Sequence, residues 1–366
     1  MINITKMVNG KETVSKKIQK SGLIVVWNVT RRCNLNCIHC YASACSNTST
    51  ELTTSEALSI IDDLSEMNIS LLLISGGEPL LRKDIFELAK YAKSKGIKCA
   101  LSTNGTLITP EVAEQLKKAG FIYVGVSLDG IKETNDRFRG VKGAFDKAFE
   151  GLINAKEVGL LTGVRFTVTK YNIKEVPAIL DLVIENEIPR FCLYHLVPSG
   201  RADFSYDISV KERRELIDWL FNKAIELYDE KVEILTVDNP ADGVYIYLKL
   251  KEIDEELAFK AFEALKYRGG DKSGVQLINI DMYGNVHPNQ FWWDYTCGNV
   301  RNEKFNVIWN KDELLIKLRN KVKYLRGKCG MCKYKEVCGG FRLRALRAGD
   351  LWGSDPSCYL KEHELI

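Results

Sequence analysis

The chain of 366 residues is short of several features that would assign it a class at once. No apolar run approaches the roughly 18–20 residues that a membrane-crossing helix needs, so the sequence predicts no membrane span. The stretch Met1–Gly22 is polar and carries lysines, without the apolar centre of a secretory signal, and a cytoplasmic location is expected. Charge of one sign is barely in excess: 52 basic against 48 acidic residues leave +4. So small and dispersed a surplus argues against a nucleic-acid partner, while leaving room for local basic pockets that take an acidic small molecule. There is no low-complexity stretch. With 45% hydrophobic residues over this length, a core is easily built and needs no covalent staples.

Against that background the eleven cysteines stand out. In a reducing compartment, clustered cysteines point to metal or catalysis rather than disulfides. Three lie at Cys33, Cys37 and Cys40, and four at Cys329, Cys332, Cys338 and Cys358. Cys45, Cys99, Cys192 and Cys297 are scattered.

From Leu23 to about Val197, short apolar runs alternate with amphipathic ones. Strands are predicted at Leu23–Val29, Leu71–Ser75, Lys98–Ser102, Ile122–Ser127, Thr162–Thr169 and Arg190–Val197. Helices fall between them, one opened by the capping box Thr53–Glu56 and another by Pro110 at a position that needs no donor. Six strand–helix steps with short connections imply an α/β fold, a parallel sheet curled into a partial (β/α)6 TIM-like barrel. In such barrels the working loops lie at the carboxyl ends of the strands. A helix is expected over Lys211–Asp229, another near Glu255–Tyr267, and a hairpin over Val275–Pro288 turning at Tyr283-Gly284-Asn285. The Cys-, Gly- and Arg-rich tail looks like a small fold organised by metal rather than by a core. The expected division is an N-terminal extension (1–22), a barrel (23–200), a bridging region (201–310) and a C-terminal cluster domain (311–366).

Cys33-x3-Cys37-x2-Cys40 directly follows the first strand. Three thiolates can bind three corners of an iron–sulfur cubane and leave the fourth iron open, where most clusters are closed by four cysteines. A zinc site with His39 as fourth ligand also satisfies the spacing. Ser75-Gly76-Gly77-Glu78-Pro79, Ser102-Thr103-Asn104-Gly105 and Ser127-Leu128-Asp129-Gly130 end the next three strands. Singly, each reads as a turn. In this order, each at its strand end, they resemble the radical S-adenosylmethionine (SAM) superfamily. That resemblance implies a [4Fe–4S] cluster on Cys33, Cys37 and Cys40 whose open iron chelates SAM through its amino and carboxylate groups. It further implies SAM contacts from Gly76, Gly77 and Glu78 to the amino group, and from Ser102, Asn104, Ser127 and Asp129 to the ribose and methionine parts. His39 takes the place where the family has an aromatic residue near the adenine.

The four C-terminal cysteines can close a second cluster or hold zinc. They resemble the SPASM extension of radical SAM enzymes, which implies one auxiliary [4Fe–4S] cluster on Cys329, Cys332, Cys338 and Cys358. The match is partial. Arg342 occupies the place of a further cysteine, and upstream ligands are lacking apart from a relic at Cys297.

Val25-Val26-Trp27-Asn28, the run from Asp238 to Tyr245, the run from Asn285 to Trp293 and the tail from Gly353 to Leu360 resemble enzymes that trim side chains of didecarboxysiroheme. One branch of that group removes two acetates to give Fe-coproporphyrin in alternative haem biosynthesis, and a sister branch removes propionates toward haem d1. SPASM-type peptide modification is a further alternative, although only about 22 residues precede the first strand. The resemblance implies that an external ferredoxin- or flavodoxin-like donor reduces the cluster, that SAM is cleaved to a 5′-deoxyadenosyl radical, and that a substrate carbon–carbon bond then breaks. An iron tetrapyrrole rich in carboxylates calls for arginine forks, for which Arg201, Arg342, Arg344 and Arg347 are candidates. His195 (as catalyst) and His287 (toward substrate) could ligate the substrate iron or move a proton, and a structurally satisfied histidine is equally open for each. Trp292 and Trp293 could line a flat pocket or simply pack.

Overall fold

The computed structural model describes residues 1–11, 22–45, 50–67, 69–227, 231–268 and 270–365. Residues 12–21 of the expected N-terminal extension and the expected end of the helix at Asp229 lie outside the described residues. The strands are β1 (Ile2–Asn3), β2 (Leu23–Asn28), β3 (Ile69–Ser75), β4 (Cys99–Thr103), β5 (Phe121–Ser127) and β6 (Leu161–Val168). They continue with β7 (Arg190–His195), β8 (Glu233–Val237), β9 (Leu277–Ile280), β10 (Asn285–His287) and β11 (Gly298–Asn299). All eleven form one sheet in the order β1-β8-β7-β6-β5-β4-β3-β2-β9-β10-β11. The six expected strands are present, adjacent and parallel. Among the described strands the two edges do not pair, so the barrel is open.

The structure adds to the expected pattern at both edges. β8 continues the parallel series beyond β7, and β1 caps it antiparallel. On the other side β9 joins β2 in parallel and β10 turns back on it, with Val286 opposite Ile280. β8 is only five residues, Glu-Ile-Leu-Thr-Val, behind a charged connection, too short for its alternation to announce a strand. The sheet therefore runs without a break past residues 200 and 201.

Register separates two faces. The outward face, with Val25, Trp27, Ile74, Leu101, Val124, Phe166 and Leu193, joins one apolar cluster with the covering helices. Those helices include Thr54–Ser65, Ile85–Ser94, Pro110–Ala119, Ala144–Glu157 and Val176–Glu185. Burial on both faces is why the strands read as nearly continuous apolar runs. The first helix is closed by its capping box, Thr53 Oγ1 accepting from the Glu56 amide at 3.3 Å and Glu56 from the Thr53 amide at 2.7 Å.

The inward face turns polar toward the carboxyl ends. Asn28 lies beside Ser75, Ser127 beside Arg165, and Thr167 beside Tyr194. The C-terminal tail departs from expectation. Rather than lacking a core, it shares an apolar cluster of Val197, Trp292, Leu318, Phe341 and Leu343, extended by Leu351 and Trp352. These residues are dispersed in sequence, so no local periodicity reveals them.

Candidate active site

The turn after β2 is built against the turn after β3. The Gly77 and Glu78 amides donate to the Thr30 and Arg32 carbonyls at 2.8 Å each. A Cβ on Gly77 would lie 2.2 Å from the Arg32 oxygen, and one on Gly76 2.4 Å from the Thr30 oxygen. Gly76 also holds φ at +140°, so only glycine lets the two chains meet here. Glu78 is fully buried. Its carboxylate accepts from Thr103 Oγ1 at 2.8 Å, the Asn104 amide at 2.8 Å and the Leu80 amide at 3.1 Å. Burial pushes its pKa up, against those hydrogen bonds. Expected as an acceptor for the SAM amino group, Glu78 in this structure joins the ends of β3 and β4, and its oxygens are engaged by the protein.

Cys33, Cys37 and Cys40 occupy one loop, Cys37 buried and the other two partly exposed. Amides point at two sulfurs, Leu35 N at 3.4 Å from Cys33 and Ala44 N at 3.4 Å from Cys40. Burial raises the Cys33 pKa to about 11, and burial likewise raises that of Cys37, opposed by Arg139. The loop rests on Phe138 and Arg139, whose carbonyls accept from the Ile38 and Asn36 amides at 2.9 and 3.0 Å.

Arg139, absent from the expectations above, is the residue that organises this corner. It ends the helix Glu133–Arg139 and lies buried, Nη1 3.6 Å from Cys37 Sγ and Nη2 paired with Asp129. Asp129 takes the Thr167 amide at 2.8 Å on its other oxygen and faces His39 Nε2 at 3.2 Å. Burial opposes ionisation of Asp129, yet Arg139 and His39 outweigh it and hold the carboxyl below its usual range. The sequence signal was Arg139-Gly140 itself: Gly140 has φ +69°, and a Cβ there would meet the Asn36 carbonyl oxygen at 2.6 Å.

Asn104 reaches the same corner, donating to Asn34 Oδ1 at 2.8 Å with Cys33 Sγ 3.9 Å away. Ser102 and Ser127 stand on the inward face. The structure thus gathers Cys33, Cys37, Cys40, His39, Gly76, Gly77, Glu78, Asn104 and Asp129 around the carboxyl ends of β2–β5. Tyr41 joins them, its hydroxyl 3.1 Å from both Asn28 Oδ1 and Ser75 Oγ. The Asn28 Nδ2 is buried without a partner, a polar atom left for a ligand.

Other expected residues turn out to be engaged within the protein. His195 is completely buried between Asp242 (Nε2 to Oδ2, 2.8 Å) and Arg213 (Nη1 to Nδ1, 2.5 Å). A guanidinium donating to Nδ1 fixes the neutral tautomer that donates from Nε2, and burial lowers the pKa. Neither nitrogen is left for catalysis. His287 is equally enclosed, Nδ1 on the Tyr295 carbonyl at 2.7 Å and Nε2 facing Asp281 at 3.3 Å. Arg201 donates to the carbonyls of Cys37 at 2.8 Å and Ala44 at 3.0 Å, clamping the cysteine loop, and retains one unpartnered nitrogen. Arg344 is buried on the Leu196 and Asp238 carbonyls, both at 2.9 Å. Arg347 pairs with Asp294 at 2.6 Å. These groups were candidates for substrate because sequence shows charge but not the acceptors a fold supplies.

Near the tail, Cys329, Cys332 and Cys338 are buried and Cys358 partly exposed. Cys329 Sγ receives Arg342 Nη2 at 3.4 Å and the Asp355 amide at 3.4 Å, and the Gly340 amide meets Cys338 at 3.5 Å. Arg342 also holds the Leu351 and Gly353 carbonyls at 3.1 and 2.9 Å. It is therefore a buried support of the cysteines rather than a free cation. Cys297 lies elsewhere, beside Asp312 and Arg319. Among the described residues no three Cys, His, Asp or Glu side chains converge closely enough to hold a single metal ion. A cubane asks for thiolates spread around its corners. Two thiol-rich loops with amides and a guanidinium aimed at sulfur suit it, because such donors stabilise sulfur-bound negative charge.

A cavity of about 250 Å³ opens beside the first loop, lined by Arg31, Tyr41, Ser199, Tyr283, Trp293 and Arg347. A larger hollow of about 520 Å³ near Arg326 and Asp350 is open to solvent, and those two side chains pair with each other at 2.9 Å. Trp293 thus faces the first cavity while Trp292 packs in the apolar cluster.

The Radical SAM superfamily model matches residues 27–183, and the SPASM model, described as an iron–sulfur cluster-binding domain, matches 273–333. The chain is 47% identical to the Fe-coproporphyrin III synthase of Methanosarcina barkeri, covering 93% of this chain and 89% of that protein. This chain belongs to the radical SAM superfamily. It is 41% identical to the pre-heme d1 synthase of Dinoroseobacter shibae over 93% and 87% of the two chains. The Streptococcus suis SuiB structure bound to its precursor peptide SuiA superposes with a TM-score of 0.74, covering 94% and 78% at 21% identity, which shows a shared fold. The protein is a radical SAM enzyme using a [4Fe–4S] cluster with SAM and carrying an auxiliary iron–sulfur cluster. No helix among the described residues is long and apolar enough to cross a membrane.

Proposed function

We propose that this enzyme removes the two acetate side chains of didecarboxysiroheme, an iron tetrapyrrole, to give Fe-coproporphyrin III. The observation that carries the reading is the 47% identity to an Fe-coproporphyrin III synthase over nearly the whole of both chains, barrel and tail together. In this reading Cys33, Cys37 and Cys40 hold the SAM cluster, and Cys329, Cys332, Cys338 and Cys358 the auxiliary one. When bound and reduced by a ferredoxin- or flavodoxin-like donor, the first cluster with SAM supplies the hydrogen-abstracting radical, chemistry that belongs to the cofactor.

The protein's share is to position and to shield. Arg139 sets its charge against Cys37 and its partner Asp129 orients His39. The backbone of Gly76 and Gly77 brings the second strand end against the loop, and Glu78 fixes the third. The polar inward layer holds oriented groups where bulk water would otherwise compete.

Anaerobic incubation of the reconstituted protein with didecarboxysiroheme, SAM and a reductant, read by mass, tests the proposal. Loss of two acetates is expected. The 41% identity to a pre-heme d1 synthase favours one second reading, propionate removal, which the same spectrum distinguishes. An unchanged tetrapyrrole mass in the presence of 5′-deoxyadenosine formation would overturn both.

A further inference from the structure

One cation on the inward face of the barrel has no counter-group among the described residues. Arg165 lies on the inward face of β6, beside Ser127 on β5 and Cys192 on β7. Its guanidinium stacks on the Tyr194 ring at 4.6 Å. It makes no hydrogen bond or ion pair with any described residue, unlike Arg139, Arg190, Arg213 and Arg344, which are all paired. Room for it is made by Gly125, where a Cβ would come within 2.7 Å of Arg165 Cδ. Arg165 is half-buried, and the groups around its charge are Tyr123, Tyr194, Cys192 and Tyr41. A half-buried guanidinium with no protein acceptor keeps its planar donors free for an anion that enters the barrel.

The surroundings say which anion. Tyr41, one of the groups near Arg165, directly follows Cys40, so this part of the inward face adjoins the cysteine loop. Asp238, at the end of β8, holds the left-handed φ of +65° and keeps Oδ2 buried and unpartnered. It lies near Arg165 and Tyr194 without pairing with Arg165. A doubly charged phosphate would be repelled by that carboxyl. A carboxylate fits better: it takes the planar fork bidentately, and a neighbouring carboxyl can share its proton with it.

We propose that Arg165, stacked on Tyr194 and facing Asp238 and Tyr41, binds one carboxylate of the tetrapyrrole substrate and so fixes which side chain faces the cysteine loop. The proposal rests on the function read above. Arg165 is a binding and positioning residue rather than a source of protons or electrons. The carboxylate of SAM is the other source of the same chemistry in this barrel.

The test uses anaerobically reconstituted wild-type, Arg165→Gln and Arg165→Lys proteins of matched iron content. Each is titrated with Fe-coproporphyrin III, with its tetramethyl ester, and separately with SAM. Losing a charge-assisted pair predicts that Arg165→Gln binds Fe-coproporphyrin III about 10- to 100-fold more weakly, since one such pair contributes roughly that factor. Arg165→Lys should recover part of the affinity. The ester, which has no carboxylate, should bind all three proteins alike, and SAM affinity should not change. Equal binding of Fe-coproporphyrin III by wild type and Arg165→Gln overturns the inference and leaves the proposed function standing. A loss confined to SAM overturns it by assigning the anion to SAM. If wild type binds neither tetrapyrrole, the functional reading itself falls, and the inference with it.

Discussion

At the scale of single residues, the site depends on buried charges whose partners lie far off in sequence. Arg139 balances Asp129 and Cys37 at once. Arg139→Met would leave the Asp129 carboxylate buried with His39 alone. Breaking a buried pair from one side costs about 3–5 kcal/mol. A matching drop in the denaturation free energy is expected, and an unchanged midpoint would show the pair to be dispensable. Asp238 works in the opposite direction. Its pKa is raised from 3.8 to about 6 by burial, so the folded state holds a proton that the unfolded state has already released. The penalty is absent near pH 4, grows as pH rises from about 4 to 6, and is complete above that range. Asp238→Asn removes the charge and suits the left-handed φ better. It should stabilise the protein by about 1–2 kcal/mol at pH 7, after allowance for partial exposure, and by much less at pH 4.5. A gain independent of pH would mean that backbone strain, not charge, was relieved.

At the scale of elements, the turns after β2 and β3 act as one unit. Gly77→Ala would force a methyl to within 2.2 Å of the carbonyl oxygen of Arg32, the residue directly before Cys33. The turns must separate, and the first cluster should be lost while the tail's is retained. Iron per reconstituted chain should fall from about eight to about four, the content of one cubane. Retention of both clusters would show that the loop tolerates the displacement. The elements also show what periodicity can reveal. The six long strands and their helices were legible, because apolar runs bounded by glycine and capping residues are local signals. β1, β8 and the helices Glu133–Arg139 and Ala241–Lys251 were not. Two are short, one is nearly all buried without a polar stripe, and one derives its importance from a contact across the barrel. Glu133–Arg139 was the costliest omission, because it delivers Arg139.

At the scale of the whole molecule, barrel and tail are joined by buried polar contacts. Arg344 holds the Leu196 and Asp238 carbonyls, Tyr359 donates to Asp242 at 2.8 Å, and Arg214 pairs with Glu364 at 2.7 Å. The apolar cluster of Val197, Trp292 and Leu343 spans the same junction. Unfolding should therefore be one cooperative transition rather than two. Replacing Cys329, Cys332, Cys338 and Cys358 by Ala should lower the midpoint of the entire molecule. Two resolved calorimetric peaks, one unaffected by the replacement, would show that the tail folds on its own.

The sequence by itself determined the chemistry: cysteine spacing, the glycine turns and the strand-end motifs are local, and local pattern is enough to specify a donor set. It determined the parallel sheet for the same reason, since a strand buried on both faces is written in consecutive residues. Only the tertiary structure decided which charges are free. His195, His287, Arg201, Arg342 and Arg344 look available in a line of letters, and each has a hydrogen-bond partner between 6 and 164 positions away. Arg165, unremarkable in sequence, is left without one. Whether a cation inside the barrel is satisfied depends on what the fold brings within about 3 Å of it, and that is settled only when distant segments pack.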